Sequence, residues 1–579
     1  MKNRLFILFI LSIIVCSVKA AEIPRLEKRG NTTELIVDGQ PFTMLAGELH
    51  NSSTGSKHYM QPIWHRMAEM NLNTVIAPVT WELFEPAEGQ FDYNLLDCMI
   101  EGARRENLKL VILWFGTWKN GISTYVPSWV KTDQKRFPLV YNKEGDTTNT
   151  LSALGRQTMQ ADTRAFAKMM EHIKAVDEKE NTVIMIQIEN EIGTLDAISS
   201  FVGGKNKMMR DFSKEANRRF QENVPMELMD HLIANKKNLH PAIKEAWEKN
   251  GAKKAGTWEQ VFGKGEESVS GEWNCVYPYL TEEIFNSWNY ATYVESLAKA
   301  GKEIYPLPMY VNAWIKQPSG SAPGLYPCGG PQPHVFDIWK AGAPHVDLFA
   351  PDIYANDVYE WTCDAFHTDG NALFIPEVSP ASTNVCRAFY TFGKHAALGF
   401  SPFGIDGGAI SNNLSEGDTS WQQAYGLLKH LTPYIYKYGG TDRMTGLLID
   451  SNKKTDQQEM GDYKVTLSQM STEYSMALMG IESTDNVPVA KENGVMVVQV
   501  ADNEFIVAGG LNGITVNFTK SSKSKSNKKH VGLISVDEIT FDNEGNELTH
   551  RLNGDETSFG HVCIYQNSVK AFRVRLYEY

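Results

Sequence analysis

The chain has 579 residues, 42% of them hydrophobic and 11% aromatic, enough for a large core and more than one domain. Its formal charge of −13 argues against nucleic acid as a partner, because phosphate backbones are bound by basic faces. Its seven cysteines include no C-x-x-C pair, which argues against a thiolate metal centre.

The first twenty residues, MKNRLFILFILSIIVCSVKA, combine Lys2 and Arg4 with an apolar run and small residues ahead of Ala21. They read as a secretory signal peptide cleaved near Ala20, since the apolar run is too short to span a bilayer. The mature protein is therefore expected in the periplasm, on the outer surface or outside the cell, with no transmembrane segment. A lipid anchor at Cys16 is an alternative, although Val15 before it is larger than the residue such sites favour. Cys98, Cys275, Cys328, Cys363, Cys386 and Cys563 remain after cleavage, and one or two disulfides would suit an exported protein. Asn31, Asn51, Asn413 and Asn517 lie in N-x-S/T sequons.

Next comes a hairpin, LIVDGQPF, turned by Asp38-Gly39. Eight short apolar strands follow: 42–50, 73–81, 108–116, 182–189, 306–314, 345–354, 372–378 and 398–406. The segments between them carry helical periodicity, with Phe166, Met169, Met170, Ile173 and Val176 on one face, for example. Strand–helix alternation with eight strands predicts an α/β fold, a (β/α)8 barrel over residues 21–440. The polar, Lys-rich interval of about 196–280 reads as a helical insertion, a lid or a decorative loop. SWQQAYGLLKHLTPYIYKYGG, 420–440, reads as the last helix with a Gly stop. From there the pattern turns to strands, so 441–579 is expected to be a smaller all-β, sandwich-type domain, with Asn512-Gly513 and Asn543-Glu544-Gly545 as hairpin turns. The Lys/Ser run at 520–529 reads as a solvated loop.

Barrel chemistry collects at the C-terminal ends of the strands. Those ends hold Glu48 and His50; Trp81, Glu82 and Glu85; Trp118, Lys119, Asn120 and Gly121; Glu189, Asn190 and Glu191; Asn312 and Trp314; Asp352 and Tyr354; Glu377; and Asp406. A packed core would not select such residues. Carboxylates at the ends of the fourth and seventh strands suggest cleavage of a glycosidic bond, which takes one acid to protonate the leaving oxygen and one carboxylate to meet the sugar carbon. Strand parity alone does not choose between Glu189 and Glu191.

QIENEIG, 187–193, resembles the Q-x-E-N-E-[YF]-G segment of glycoside hydrolase family 35, the β-galactosidases of clan A. WELFEPAEGQFDY, 81–93, resembles that family's W-N-x-H-E-P-x-x-G-x-F-D-F, and LAGELHNS, 45–52, its S-G-x-x-H-Y first strand. LWFGTWKNGISTYVPSWVK, 113–131, resembles a bacterial branch with an appended β domain. The resemblance implies Glu191 as general acid/base, Glu377 in FIPEVSP as nucleophile, and Asn190 as a partner of the sugar 2-hydroxyl. It places Glu189 beside the sugar or behind the acid, and Tyr354 against the nucleophile. Glu48, Trp81, Glu82, Trp118, Lys119, Asn120 and Trp314 stand where sugar contacts would fall.

The chain departs from the family at Pro78, where most members carry Tyr, at Trp81-Glu82, and at WFGTWKNG in place of R-P-G-P-Y-x-C-A-E. Those family positions grip galactose hydroxyls. The expected activity is that of an exported retaining exo-β-galactosidase acting on terminal β-galactosyl residues of oligo- or polysaccharides, plant cell-wall glycans among them. The alternatives are a clan relative acting on a β-glucoside or β-arabinoside, and a non-catalytic carbohydrate-binding barrel. No cofactor or metal is implied.

Overall fold

The computed structural model describes residues 22–195, 208–407, 416–450, 452–470, 492–542, 544–557 and 560–579. The signal-peptide reading, Cys16, the sequon at Asn413 and residues 196–207 of the insertion lie outside them.

Asp38 and Gly39 both adopt positive φ, 53° and 75°, and turn Thr32–Val37 back onto Gln40–Pro41 as the hairpin reading expects. The eight apolar runs then form eight parallel strands: β1 (Met44–Glu48), β2 (Thr74–Thr80), β3 (Lys109–Lys119), β4 (Val183–Asn190), β5 (Met309–Trp314), β6 (Leu348–Ile353), β7 (Ile375–Val378) and β8 (Gly399–Pro402). They close into a barrel, β8 pairing with β1 and β4 with β5. The fold is the (β/α)8 barrel read from the sequence.

The barrel interior is filled by inward-facing apolar residues, among them Met44 and Ala46 of β1, Val111, Leu113 and Phe115 of β3, and Leu348 and Ala350 of β6. Period-two alternation puts Glu48, Lys119 and Asp352 on those same inward rows, one layer above the apolar plug. Outside, the helices pack on the sheet. The helix Arg156–Asp177 buries Phe166, Met169, Met170 and Ile173, whereas Val176 near its end faces solvent. The described part of the insertion holds four short helices ahead of the long helix Leu280–Ile304. Among the described residues, no helix is long and apolar enough to cross a membrane.

The last barrel helix, Glu416–Tyr438, ends at Gly439-Gly440, and antiparallel strands begin at Met444. They form a six-stranded and a four-stranded sheet that share one apolar core. Of the expected turn at Asn543-Glu544-Gly545, Asn543 lies outside the described residues; the strands on either side are paired, Phe541 opposite Glu547. Asn512-Gly513 is not a hairpin turn. The strand ending at Gly509 belongs to one sheet and that beginning at Asn512 to the other, so the chain crosses the sandwich there. The helix Val385–His395 docks on this unit through the buried Arg387, whose Nε donates to both carboxylate oxygens of Glu492 at 3.0 Å. All six described cysteines are free thiols, so the expected disulfides do not form.

Candidate active site

Register brings the strand ends into one ring. Lys119 lies opposite Asn190, Trp314 opposite Asp352, and Asp352 opposite Glu377. One carboxylate oxygen from each of Glu191, Asp352 and Glu377 lies within 4.8 Å of the others.

Glu377 is held by three donors. Asn190 Nδ2 and Asn312 Nδ2 approach Oε1 at 3.2 and 3.3 Å, and the Tyr354 hydroxyl donates to Oε2 at 2.7 Å. Asn312 ties all three acids together: its Nδ2 also donates to Asp352 at 2.7 Å, and its Oδ1 accepts the backbone N–H of Glu191 at 2.8 Å. The Asn120 amide donates to Glu191 Oε2. Lys119 Nζ donates to Asn190 Oδ1 at 2.8 Å, which fixes the Asn190 amide so that its N–H₂ points at Glu377. Asp352 and Asn312 appear in the sequence as strand-end residues. Their inward parity, shared with Tyr354 and Trp314, was the available signal for adding them to the site.

These groups are almost wholly buried, and burial disfavours charge. Burial first, then the negative charge of Glu377, pushes Glu191 up to about 7, against the pull of the Lys119 ammonium and of hydrogen bonds from Asp352 and Asn120. Burial, then the charges of Glu377, Glu191 and Glu48, hold Asp352 well above the usual carboxylate range. Glu48 is likewise raised, by burial and then Glu377, and neither of its oxygens has a hydrogen-bond partner among the described residues. Burial would lower Lys119, yet the surrounding carboxylates of Glu377, Glu191, Glu48 and Asp352 keep it above its ordinary value. The carboxylates of Glu191 and Glu377 thus face amides and a phenol, whereas Asp352 Oδ1 has no hydrogen-bond partner among the described residues.

Four expected sugar contacts are not brought to this ring. Both Glu189 and Glu191 have left-handed backbones, φ 60° and 46°, which break the alternation and send the two side chains to different places. Glu189 Oε1 and Oε2 accept the backbone N–H groups of Thr117 and Trp118 at 3.1 and 2.7 Å, and burial with the neighbouring Asp162 on the barrel flank holds the carboxyl well above its usual range. Trp118 is buried there, donating to the Leu151 carbonyl at 3.0 Å with its ring against Tyr290 and Tyr293. Trp81 is a core residue bonded to Glu85 at 2.8 Å. Glu82 is a surface acid paired with Lys131 at 3.2 Å. Trp314 and Tyr354 stand on the rim, half-buried and exposed respectively. His50 and Ser53 both bond Asp406, each at 2.5 Å, fastening the first loop to the eighth.

Residues 34–306 match the family model for glycosyl hydrolases family 35, and residues 421–563 one for a domain of unknown function, DUF5597. The barrel segment therefore carries a family 35 domain, as the sequence motifs imply. A β-galactosidase of Xanthomonas manihotis is 24% identical over 169 residues, which cover 28% of this chain and 26% of that protein. The chain thus spans about a quarter of that relative's length. Among solved structures, Gan42B, a GH42 β-galactosidase from G. stearothermophilus, superposes with a TM-score of 0.50 at 11% identity, covering 95% of this chain and all of that one. A β-galactosidase from Bacillus circulans sp. alkalophilus gives 0.46 at 11%, covering 92% and 99%. At such identities the likeness speaks to fold alone.

Proposed function

We propose that the chain is an exported retaining exo-β-galactosidase that removes terminal β-galactosyl residues from oligo- or polysaccharides by double displacement. The observation that carries this reading is the approach of Glu191 and Glu377 oxygens to within 4.8 Å. Retaining enzymes hold their two carboxyls about 5–5.5 Å apart and inverting ones about 6.5–9.5 Å.

Glu191 gives its proton to the glycosidic oxygen while Glu377 attacks the anomeric carbon, and a glycosyl ester forms on Glu377. Glu191, now ionised, takes a proton from water as that water cleaves the ester. A pKa near 7 suits both halves of this exchange. Tyr354, Asn190 and Asn312 stabilise the Glu377 carboxylate and aim it. Galactose is supported by the family match and by the curated relative. A second reading keeps the mechanism and changes the sugar to a β-glucoside or β-arabinoside. It is favoured by the buried Lys119, which stands in the third-strand segment where the chain departs from family 35.

A panel of aryl β-galactosides, β-glucosides and arabinosides, with proton NMR of the first-formed sugar, tests both. Release of the β-anomer from the galactoside is expected. Release of the α-anomer would overturn the mechanism, and turnover of another glycoside alone would move the reading to the second sugar.

A further inference from the structure

A cavity of about 730 Å³ lies between the insertion and the barrel flank, and none of the catalytic carboxylates lines it. Its walls come from the helix Met226–Ala234 and residues 235–240 of the insertion, the loop around Tyr277, and the barrel helices Phe336–Gly342 and Tyr359–Phe366. We propose that this cavity is a second glycan-binding site, for a neutral stretch of polysaccharide, built around Trp361 and the amides of Asn235, Asn238 and Asn274.

The charge arrangement argues for a neutral ligand. Asp337 accepts from His231 at 3.4 Å and from the backbone N–H of His240 at 3.3 Å. Asp369 pairs with Lys28 at 3.1 Å, and His334 with Glu283 at 2.8 Å. Lys316 donates to the carbonyls of Trp273 and Val276 and lies over the Tyr277 ring. Burial keeps His240 neutral, at about 4, with its Nδ1 accepting from Ala242. Lys340 is the one lining cation with neither an ion pair nor a hydrogen bond among the described residues. A site built for an anion would leave several cations free, and one built for a cation would leave its carboxylates free.

Apart from Lys340, what remains free is polar and uncharged. Asn235 spends its N–H₂ on the His231 carbonyl at 2.9 Å and keeps its oxygen. Asn274 keeps its N–H₂, and the side chain of Asn238 makes no hydrogen bond among the described residues. Amides pair donor with acceptor as vicinal hydroxyls require. Trp361, half-buried and braced edge-on by Trp273 at 4.7 Å, supplies the flat apolar face on which a sugar ring can lie. Tyr277 cannot do so, since His334 and Lys316 cover its ring. The choice of a glycan among neutral hydroxylated ligands rests on the glycosidase reading above.

Affinity electrophoresis of the full chain tests this in a Glu377→Gln background, where the probe is not consumed. The probes are tamarind xyloglucan, larch arabinogalactan and, as the acidic control, polygalacturonate. At least one neutral polymer should retard the protein, and adding Trp361→Ala, or separately Asn274→Ala, should weaken that retardation at least fivefold. With Glu377 restored, both cavity variants should cleave an aryl β-galactoside as the parent does, while losing several-fold in rate on the polymer. No retardation by any probe, retardation unchanged by both cavity substitutions, or retardation by polygalacturonate alone would overturn the proposal. A parent enzyme silent on every aryl glycoside would instead break the glycosidase reading, and cavity-dependent retardation would still stand.

Discussion

Two buried pairs of acids, one at the mouth of the barrel and one on its flank, start from the same strand and end in opposite conditions. On the flank, Glu189 is capped by two backbone N–H groups. Its neighbour Asp162 accepts from Trp114 at 2.8 Å, Thr117 at 2.7 Å and Tyr293 at 3.0 Å. At the mouth, Glu191 faces Glu377 and Asp352, and among the described residues one Asp352 oxygen has no hydrogen-bond partner and Glu48 beside them has none at all. Glu189 and Glu191 are equally buried, and both carry raised pKa values. The difference is satisfaction: the flank closes its hydrogen bonds within the protein, and the mouth leaves them for something else. Depth and pKa alone would not separate Glu191 from Glu189.

Breaking the mouth should have the largest effect. Glu377→Gln keeps size and polarity, so the protein should melt as the parent does, while turnover falls about 10⁴-fold or more because the nucleophile is gone. Circular dichroism melting beside aryl-glycoside kinetics checks both halves, and residual activity within tenfold of the parent would exclude Glu377 as nucleophile.

Breaking the flank should reverse the pattern. Glu189→Ala leaves the Thr117 and Trp118 N–H groups without partners, and should cost about 2–6 kcal/mol of stability at about 1–3 kcal/mol per orphaned group. Chemical denaturation measures this, and the fraction still folded at low temperature should keep the parent's pH profile.

A smaller change sharpens the contrast. Lys119→Met removes the ammonium that holds Glu191 down, so the pKa of Glu191 should rise from about 7. The acid must be protonated to act, so kcat/KM falls as pH climbs through that value, and in the variant the fall should begin at higher pH. Losing the Lys119 contact should also cost about 1–3 kcal/mol in transition-state binding. A basic limb that stays in place, or moves to lower pH, would separate Lys119 from Glu191.

The barrel was legible because its strands are runs of β-favouring apolar residues between helical segments, and all eight are found where periodicity puts them. The last helix and the change to strands after it were legible from the Gly stop. Which strand-end side chains face inward was less so. Parity placed Glu48, Lys119, Asn312 and Asp352 on the inward rows, but left-handed backbones at Glu189, Asn120 and Glu191 are tertiary constraints that no period reveals. Hence Glu189 was read toward the sugar and belongs to the flank, whereas Trp118 was misread although its parity, shared with Trp114, already sends it there. Trp81 was misread for another reason, since a Trp at a strand end serves a core as readily as a rim. The crossing at Asn512-Gly513 was missed because a turn signal fixes a bend and not the sheet to which the next strand belongs.

Chemical rescue tests the division of labour between Glu191 and Glu189 most directly. With a dinitrophenyl β-galactoside, whose leaving group needs little protonation, Glu191→Ala should form the glycosyl-enzyme and stall. Added azide should then restore turnover and yield the β-glycosyl azide, because a small anion needs no base and fits the space left by the side chain. Glu189→Ala should show no rescue. Rescue of Glu189→Ala with none of Glu191→Ala would contradict the account and move the acid two residues back, to the flank.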